Sequence, residues 1–105
     1  MNEEINEYVK RFVETLKPKV VFLFGSYARG DYNKESDYDF YIVMPGKRKV
    51  SCNTVTKAYS SLQGIKTKPV DIIVKNEATF LERKKYIGTI EQIVAREGIK
   101  LYEKE

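Results

Sequence analysis

The sequence predicts an α/β (α+β) domain, a small mixed β-sheet with helices packed on it. Three observations carry this. Residues 2–16 repeat apolar side chains at helical spacing, residues 20–24, 37–44 and 70–75 are short β-branched and aromatic runs bounded by polar turns, and a helical pattern resumes at residue 76. With 105 residues the chain can bury one modest core and is too short for two ordinary domains, so residues 1–105 are read as a single domain.

In the first helix Ile5, Tyr8, Val9, Phe12, Val13 and Leu16 fall on one face. Asn2 suits its N-cap, Glu3 and Glu4 its positive end, and Lys17-Pro18 stops it. Residues 20–24 (VVFLF) read as a buried strand ending at Gly25. Residues 25–36 are polar, with Gly30, Asp31 and Asn33 supplying turn chemistry, and Gly25-Ser26 opens a short helical turn. A second strand spans residues 37–44 and is closed by Pro45-Gly46. Residues 50–62 permit a helix carrying Val50, Val55, Ala58, Tyr59 and Leu62, weak because of its many Ser and Thr residues, with Gly64 as its stop. Residues 70–75 (VDIIVK) form a third strand. Leu81, Ile87, Ile90, Ile93 and Val94 then continue a helical pattern to Gly98 that Gly88 divides in two, and residues 99–102 add a short edge strand.

The longest apolar run, residues 20–24, is far too short to span a membrane. Acidic Glu3 and Glu4 are the wrong charge for the start of an export signal, and a lone Cys52 agrees with a reducing compartment, so the expected location is cytoplasmic. Nineteen Lys and Arg against fifteen Asp and Glu give a net charge of +4, which tolerates a polyanionic ligand without demanding one. For Lys47-Arg48-Lys49 and Arg83-Lys84-Lys85 solvated surface is the commoner explanation, and nucleic acid is not favoured as a partner.

The chemistry is concentrated in LFGSYARGDYNKESDYDFYIV. In an extended chain residues two apart face the same side, so Asp37 and Asp39 point together and need a cation or a shared proton. A divalent metal satisfies that need best. The candidate ligands are carboxylate oxygens and the chain has no histidine, which favours Mg²⁺ or Mn²⁺ over zinc. Asp71, between Val70 and Ile72, completes a triad for two ions if its strand neighbours that of Asp37; on spacing alone it ends in water or meets a lysine about as readily. Gly25-Ser26 at a strand end suits phosphate through close backbone approach, free N–H groups and a hydroxyl, or is merely a turn. Arg29 either touches phosphate or is a surface residue, and Lys34 and Glu35 are solvated loop residues.

Gly25-Ser26, ten intervening residues and Asp37-Tyr38-Asp39 form the pattern G-S-x10-D-x-D. With it the chain resembles the minimal nucleotidyltransferases (MNT) of the DNA polymerase β superfamily, a likeness that extends through VDIIV to the ending IEQIVAREGIKLYE. The resemblance implies a mixed sheet with helices on one side and transfer of a nucleoside monophosphate from a triphosphate to a hydroxyl, releasing pyrophosphate. It further implies that Gly25 and Ser26 hold the β and γ phosphates, that Asp37 and Asp39 bind two metal ions, and that Asp71 helps hold the second and takes the acceptor's proton.

Larger relatives build acceptor and base pockets from added domains that this chain is not expected to have, so either a second chain is needed or the acceptor is a protein hydroxyl brought in by a partner. The resemblance suggests ATP as substrate and a toxin–antitoxin pairing with a HEPN-domain protein. The competing reading is a non-catalytic antitoxin that neutralises its partner by contact, for which Tyr27, Tyr32 and Tyr38 are candidate exposed aromatics. Oligomeric state, a homo-oligomer included, is left open.

Overall fold

A computed structural model describes residues 2–105. Helix α1 (Glu3–Leu16) starts where the sequence demands, because the Asn2 side chain accepts the Ile5 N–H at 2.8 Å. It ends at Lys17, whose left-handed φ of 53° turns the chain before Pro18. Its buried face is Ile5, Tyr8, Phe12 and Leu16. Strand β1 (Val20–Phe24) lies inside a four-stranded sheet with β2 (Tyr38–Met44), β3 (Val70–Asn76) and β4 (Ile99–Glu103), in the order β3-β2-β1-β4. β1 is antiparallel to β2 and β4, and β2 is parallel to β3.

Among the described residues four further helices follow: α2 (Ser26–Arg29), α3 (Cys52–Ser60), α4 (Glu77–Arg83) and α5 (Ile90–Glu97). α3 begins two residues later than its apolar pattern suggests, since the Ser51 hydroxyl caps the Thr54 N–H and leaves Val50 outside. The turn at Gly88, with φ of 92°, separates α4 from α5 as expected.

The expectation of helices on one side of the sheet is corrected. α1 and α3 bury Val21, Leu23, Phe40, Ile42 and Val74 on one face, while Phe80 of α4 and Val94 of α5 cover Val20, Phe22, Phe24, Tyr41 and Val43 on the other. The cause lies in β1. All five of its residues are apolar and buried, so both faces require cover. Each aromatic side chain in these two layers contributes roughly 2–3 kcal/mol by burial.

The second face contains one buried charge. Glu91 of α5 is 1% exposed, accepts the Tyr41 hydroxyl at 2.7 Å and pairs with Arg83 Nε at 2.9 Å. Burial alone would raise its carboxyl, but the bonds from Tyr41 and Arg83 outweigh that and hold it below 4.5. The basic cluster at residues 83–85 is thereby accounted for within the fold. Arg83 serves Glu91, Lys85 pairs with Glu82, and Lys84 lies 5.7 Å from the Phe80 ring centroid.

Candidate active site

The parallel register of β2 and β3 sets Asp39 opposite Asp71, and the antiparallel register of β1 sets Phe24 opposite Asp39. Asp37 directly precedes β2. The sheet thus brings Asp37, Asp39 and Asp71 to the end of β1 at which Gly25 and Ser26 begin α2. Asp37 and Asp39 are half-buried and Asp71 is exposed on the edge strand.

Their crowding is visible at Asp39, whose carboxyl rises from 3.8 to about 6. Burial contributes most, followed by the charges of Asp71 and Asp37 and hydrogen bonding to Asp71, against a smaller lowering by Arg29. Such a site calls for a proton or a cation. Its donors are all hard oxygens, which fits Mg²⁺ or Mn²⁺. Among the described residues, however, no three acidic, Cys or His side chains converge into a ready-made metal cage.

Gly25 is dictated by this arrangement. Its φ is +76°, and a Cβ there would lie 2.3 Å from Oδ2 of Asp39. Only glycine allows the turn and the carboxylate to coexist. The turn carries no side-chain cap, while the Ala28 and Arg29 N–H groups bond to the Gly25 carbonyl at 3.1 and 3.0 Å. Arg29 is exposed and held by carboxylates, with Nε 3.2 Å from Asp31 and Nη1 3.9 Å from Glu97. The loop between the two halves is braced locally, the Asn33 N–H bonding to Ser36 Oγ at 3.0 Å and the Glu35 N–H to Asn33 Oδ1 at 2.8 Å. Lys34 and Glu35 are exposed there, as expected.

The three tyrosines do not form an exposed patch. Tyr38 is 3% exposed, because on a strand it must face away from Asp37 and Asp39. Tyr27 is half-buried and stacks on Tyr32 with ring centroids 4.2 Å apart, leaving only Tyr32 open to solvent. Lys68, which sequence reasoning passed over, lies 4.9 Å from the Tyr27 centroid and 5.1 Å from that of Tyr38. Its only sequence signal is its place shortly before Asp71.

The nucleotidyltransferase domain model matches residues 3–97. The chain belongs to that family. It is similar to two proteins of Methanocaldococcus jannaschii named as candidate protein adenylyltransferases: MJ0604, 53% identical over 49 residues, and MJ0141, 42% identical over 74 residues. The first match spans 41% of this chain and about half of that relative (47%), the second 65% of this chain and 75% of its relative. Among solved structures, a toxin-antitoxin with AMP-PNP superposes with a TM-score of 0.70 at 20% identity, covering 99% of this chain and 76% of that one. A Sulfolobus solfataricus protein named as a candidate nucleotidyltransferase gives 0.58 at 21% identity, covering 99% and 90%. The structural likenesses establish the fold, and with it the mixed sheet expected from the sequence, while the domain match over residues 3–97 places the chain among nucleotidyltransferases. None of the described helices is long and apolar enough to cross a membrane.

Proposed function

We propose that this chain transfers AMP from ATP to a hydroxyl on a partner protein, and that it acts as the antitoxin of a toxin–antitoxin pair with a HEPN-domain protein. The observation that carries the reading is the register that sets Asp39 beside Asp71 under the Gly25 turn. Transfer from ATP is supported by the names of the two M. jannaschii relatives and by the AMP-PNP in the toxin-antitoxin neighbour; the pairing is supported by that neighbour and by a second, MntA-HpeT. The HEPN identity rests on the resemblance to minimal nucleotidyltransferases, and the cytoplasmic location on the use of ATP.

Asp37 and Asp39 would hold two divalent ions, Mg²⁺ or Mn²⁺, with Asp71 sharing the second. When bound, such ions neutralise the triphosphate and acidify the acceptor hydroxyl. Gly25 and Ser26 would hold the β and γ phosphates through backbone N–H groups and the serine hydroxyl. Arg29, once released from Asp31 and Glu97, would add a guanidinium to the phosphates. Asp71 lies on the open edge, so it would meet the incoming hydroxyl and take its proton as the acceptor oxygen bonds to the α phosphorus and pyrophosphate leaves. Positioning and charge would supply most of the acceleration.

The test is transfer of α-labelled ATP with Mg²⁺ or Mn²⁺ to the co-purifying partner, comparing wild type with a folded Asp37→Asn, Asp39→Asn double variant. Label on the partner that disappears in the variant is expected. Unlabelled partner bound equally by both forms would instead identify an antitoxin that acts by contact alone.

A further inference from the structure

We infer that Glu4 is a positioning residue for the aspartate site, acting from the opposite face of the sheet through Tyr38, Tyr8 and residues 67–68. The inference rests on the proposed roles of Asp37, Asp39 and Asp71. Because Asp37 and Asp39, two apart in extended chain, face one side, Tyr38 between them faces the other, where its hydroxyl donates to Glu4 Oε1 at 2.6 Å. Glu4 Oε2 accepts the Tyr8 hydroxyl at 3.0 Å and also the Thr67 hydroxyl. The Thr67 N–H donates back to the Tyr8 hydroxyl at 3.3 Å. One carboxylate in the first turn of α1 therefore ties the start of β2 to the segment that leads into β3.

The next residue extends the network to the phosphate turn. Lys68 Nζ donates to the Tyr27 hydroxyl at 2.5 Å and lies over the Tyr27 and Tyr38 rings, whose centroids are 4.6 Å apart. Tyr27 follows Ser26, Tyr38 separates Asp37 from Asp39, and Thr67 and Lys68 precede Asp71 by four and three residues. All three segments that carry the site are gripped close to their functional side chains.

The grip answers a mechanical need. Asp39 and Asp71 face one another at the second rung of the β2–β3 ladder, whose first rung is Tyr38 with Val70, so few backbone bonds oppose their repulsion. Charge-assisted hydrogen bonds to Glu4 are the stronger kind. Burial pushes the Glu4 carboxyl up, but bonds from Thr67, Tyr38 and Tyr8 and the charge of Lys68 outweigh it, and Glu4 remains the anionic hub. Groups behind the ligands of a metal site commonly change its affinity by about 10–100-fold when altered.

The experiment compares Glu4→Ala, Glu4→Gln and Tyr38→Phe with wild type, reading Mn²⁺ affinity of the isolated chain by electron paramagnetic resonance, then kcat and KM for ATP in the transfer assay. Glu4→Ala is expected to lower Mn²⁺ affinity and kcat by about tenfold each, with KM for ATP nearly unchanged. Tyr38→Phe should act in the same direction but less, and Glu4→Gln should recover part of the loss through its remaining acceptor oxygen. Wild-type Mn²⁺ affinity and kcat in the folded variants, with only a lower Tm, would overturn the inference and leave Glu4 a stabilising residue. Should Glu4→Ala not fold, Tyr38→Phe, which removes one oxygen, decides. Asp39→Asn separates the two levels: intact Mn²⁺ binding in it defeats the site reading and this inference together, whereas binding lost there and kept in the Glu4 and Tyr38 variants defeats the positioning role alone.

Discussion

At Asp39, burial and two neighbouring carboxylates act in one direction, lifting its carboxyl from 3.8 to about 6. A raised acid binds its proton more tightly folded than unfolded, so the ionised site opposes folding. That cost is absent below pH 3.8, grows as the pH rises to about 6, and is constant above. A shift of this size corresponds to about 2 kcal/mol once residual solvent at the half-buried group is allowed for. Asp39→Asn should therefore raise the Tm of the metal-free protein at pH 8 by roughly 8–16 °C, with the difference vanishing near pH 3.5, and should abolish the further rise expected of the wild type on addition of Mn²⁺. Equal melting of the two forms at pH 8 would mean that burial and the neighbouring carboxylates together do not disfavour the ionised Asp39. Much of this arrangement was legible in the sequence: Asp37 and Asp39 share a face by strand parity, and Gly25-Ser26 marks the turn that leaves β1. Pairing of Asp71 with Asp39 was not, because it depends on β3 lying parallel beside β2, a long-range choice that spacing leaves open. The inward Tyr38 was legible from the same parity that pairs the aspartates, although it first reads as an exposed aromatic.

Among the elements, α5 is attached to the sheet by a device that composition hides. Glu91 occupies a position on the apolar face of its helix, one turn before Val94, and its carboxylate joins Tyr41 of β2 to Arg83 of α4. Replacing it by alanine would leave the fully buried Tyr41 hydroxyl without its partner and Arg83 without its counter-ion. Loss of one member of such a buried network costs about 2–4 kcal/mol, so Glu91→Ala should lower the urea midpoint substantially, and Glu91→Gln, which keeps an acceptor for Tyr41, less. Because the Glu91 carboxyl is held below 4.5, its stabilisation is present above that pH and is lost as the pH falls through its folded value. The acid limb of the wild-type stability curve should thus be shallower in Glu91→Gln. Element boundaries were readable wherever local chemistry sets them, as at the Asn2 cap, the Lys17-Pro18 stop and the Gly88 break. The two-sided packing was less so. An apolar run such as residues 20–24 states that both faces are buried but not which helices bury them, and that is settled by Phe80 and Val94 far along the chain.

Over the whole molecule, charge is separated along the sheet. Asp37, Asp39 and Asp71 gather at one end of β2 and β3, while Lys47, Lys49 and Lys75 line a recess of about 420 Å³ with Val50 and Val74 at the other. Among the described residues none of these three lysines forms an ion pair. At about 3.3 Å per residue the strand from Asp39 to Met44 separates the two ends by roughly 17 Å, so a triphosphate cannot bridge them. Without divalent ions the aspartate end repels ATP and the lysine end attracts it. Removal of metal by EDTA should therefore abolish the ATP binding that Asp39→Asn also abolishes. What binding persists in EDTA should be weak, fall steeply with added salt, disappear in a Lys47→Ala, Lys75→Ala double variant and be indifferent to Asp39→Asn. Titrations of ATP by calorimetry, with Mg²⁺ and with EDTA, distinguish the two. If ATP bound in EDTA with unchanged affinity and Asp39→Asn strengthened that binding, the triphosphate would be recognised by the Gly25-Ser26 turn alone, and the carboxylates would serve only the acceptor.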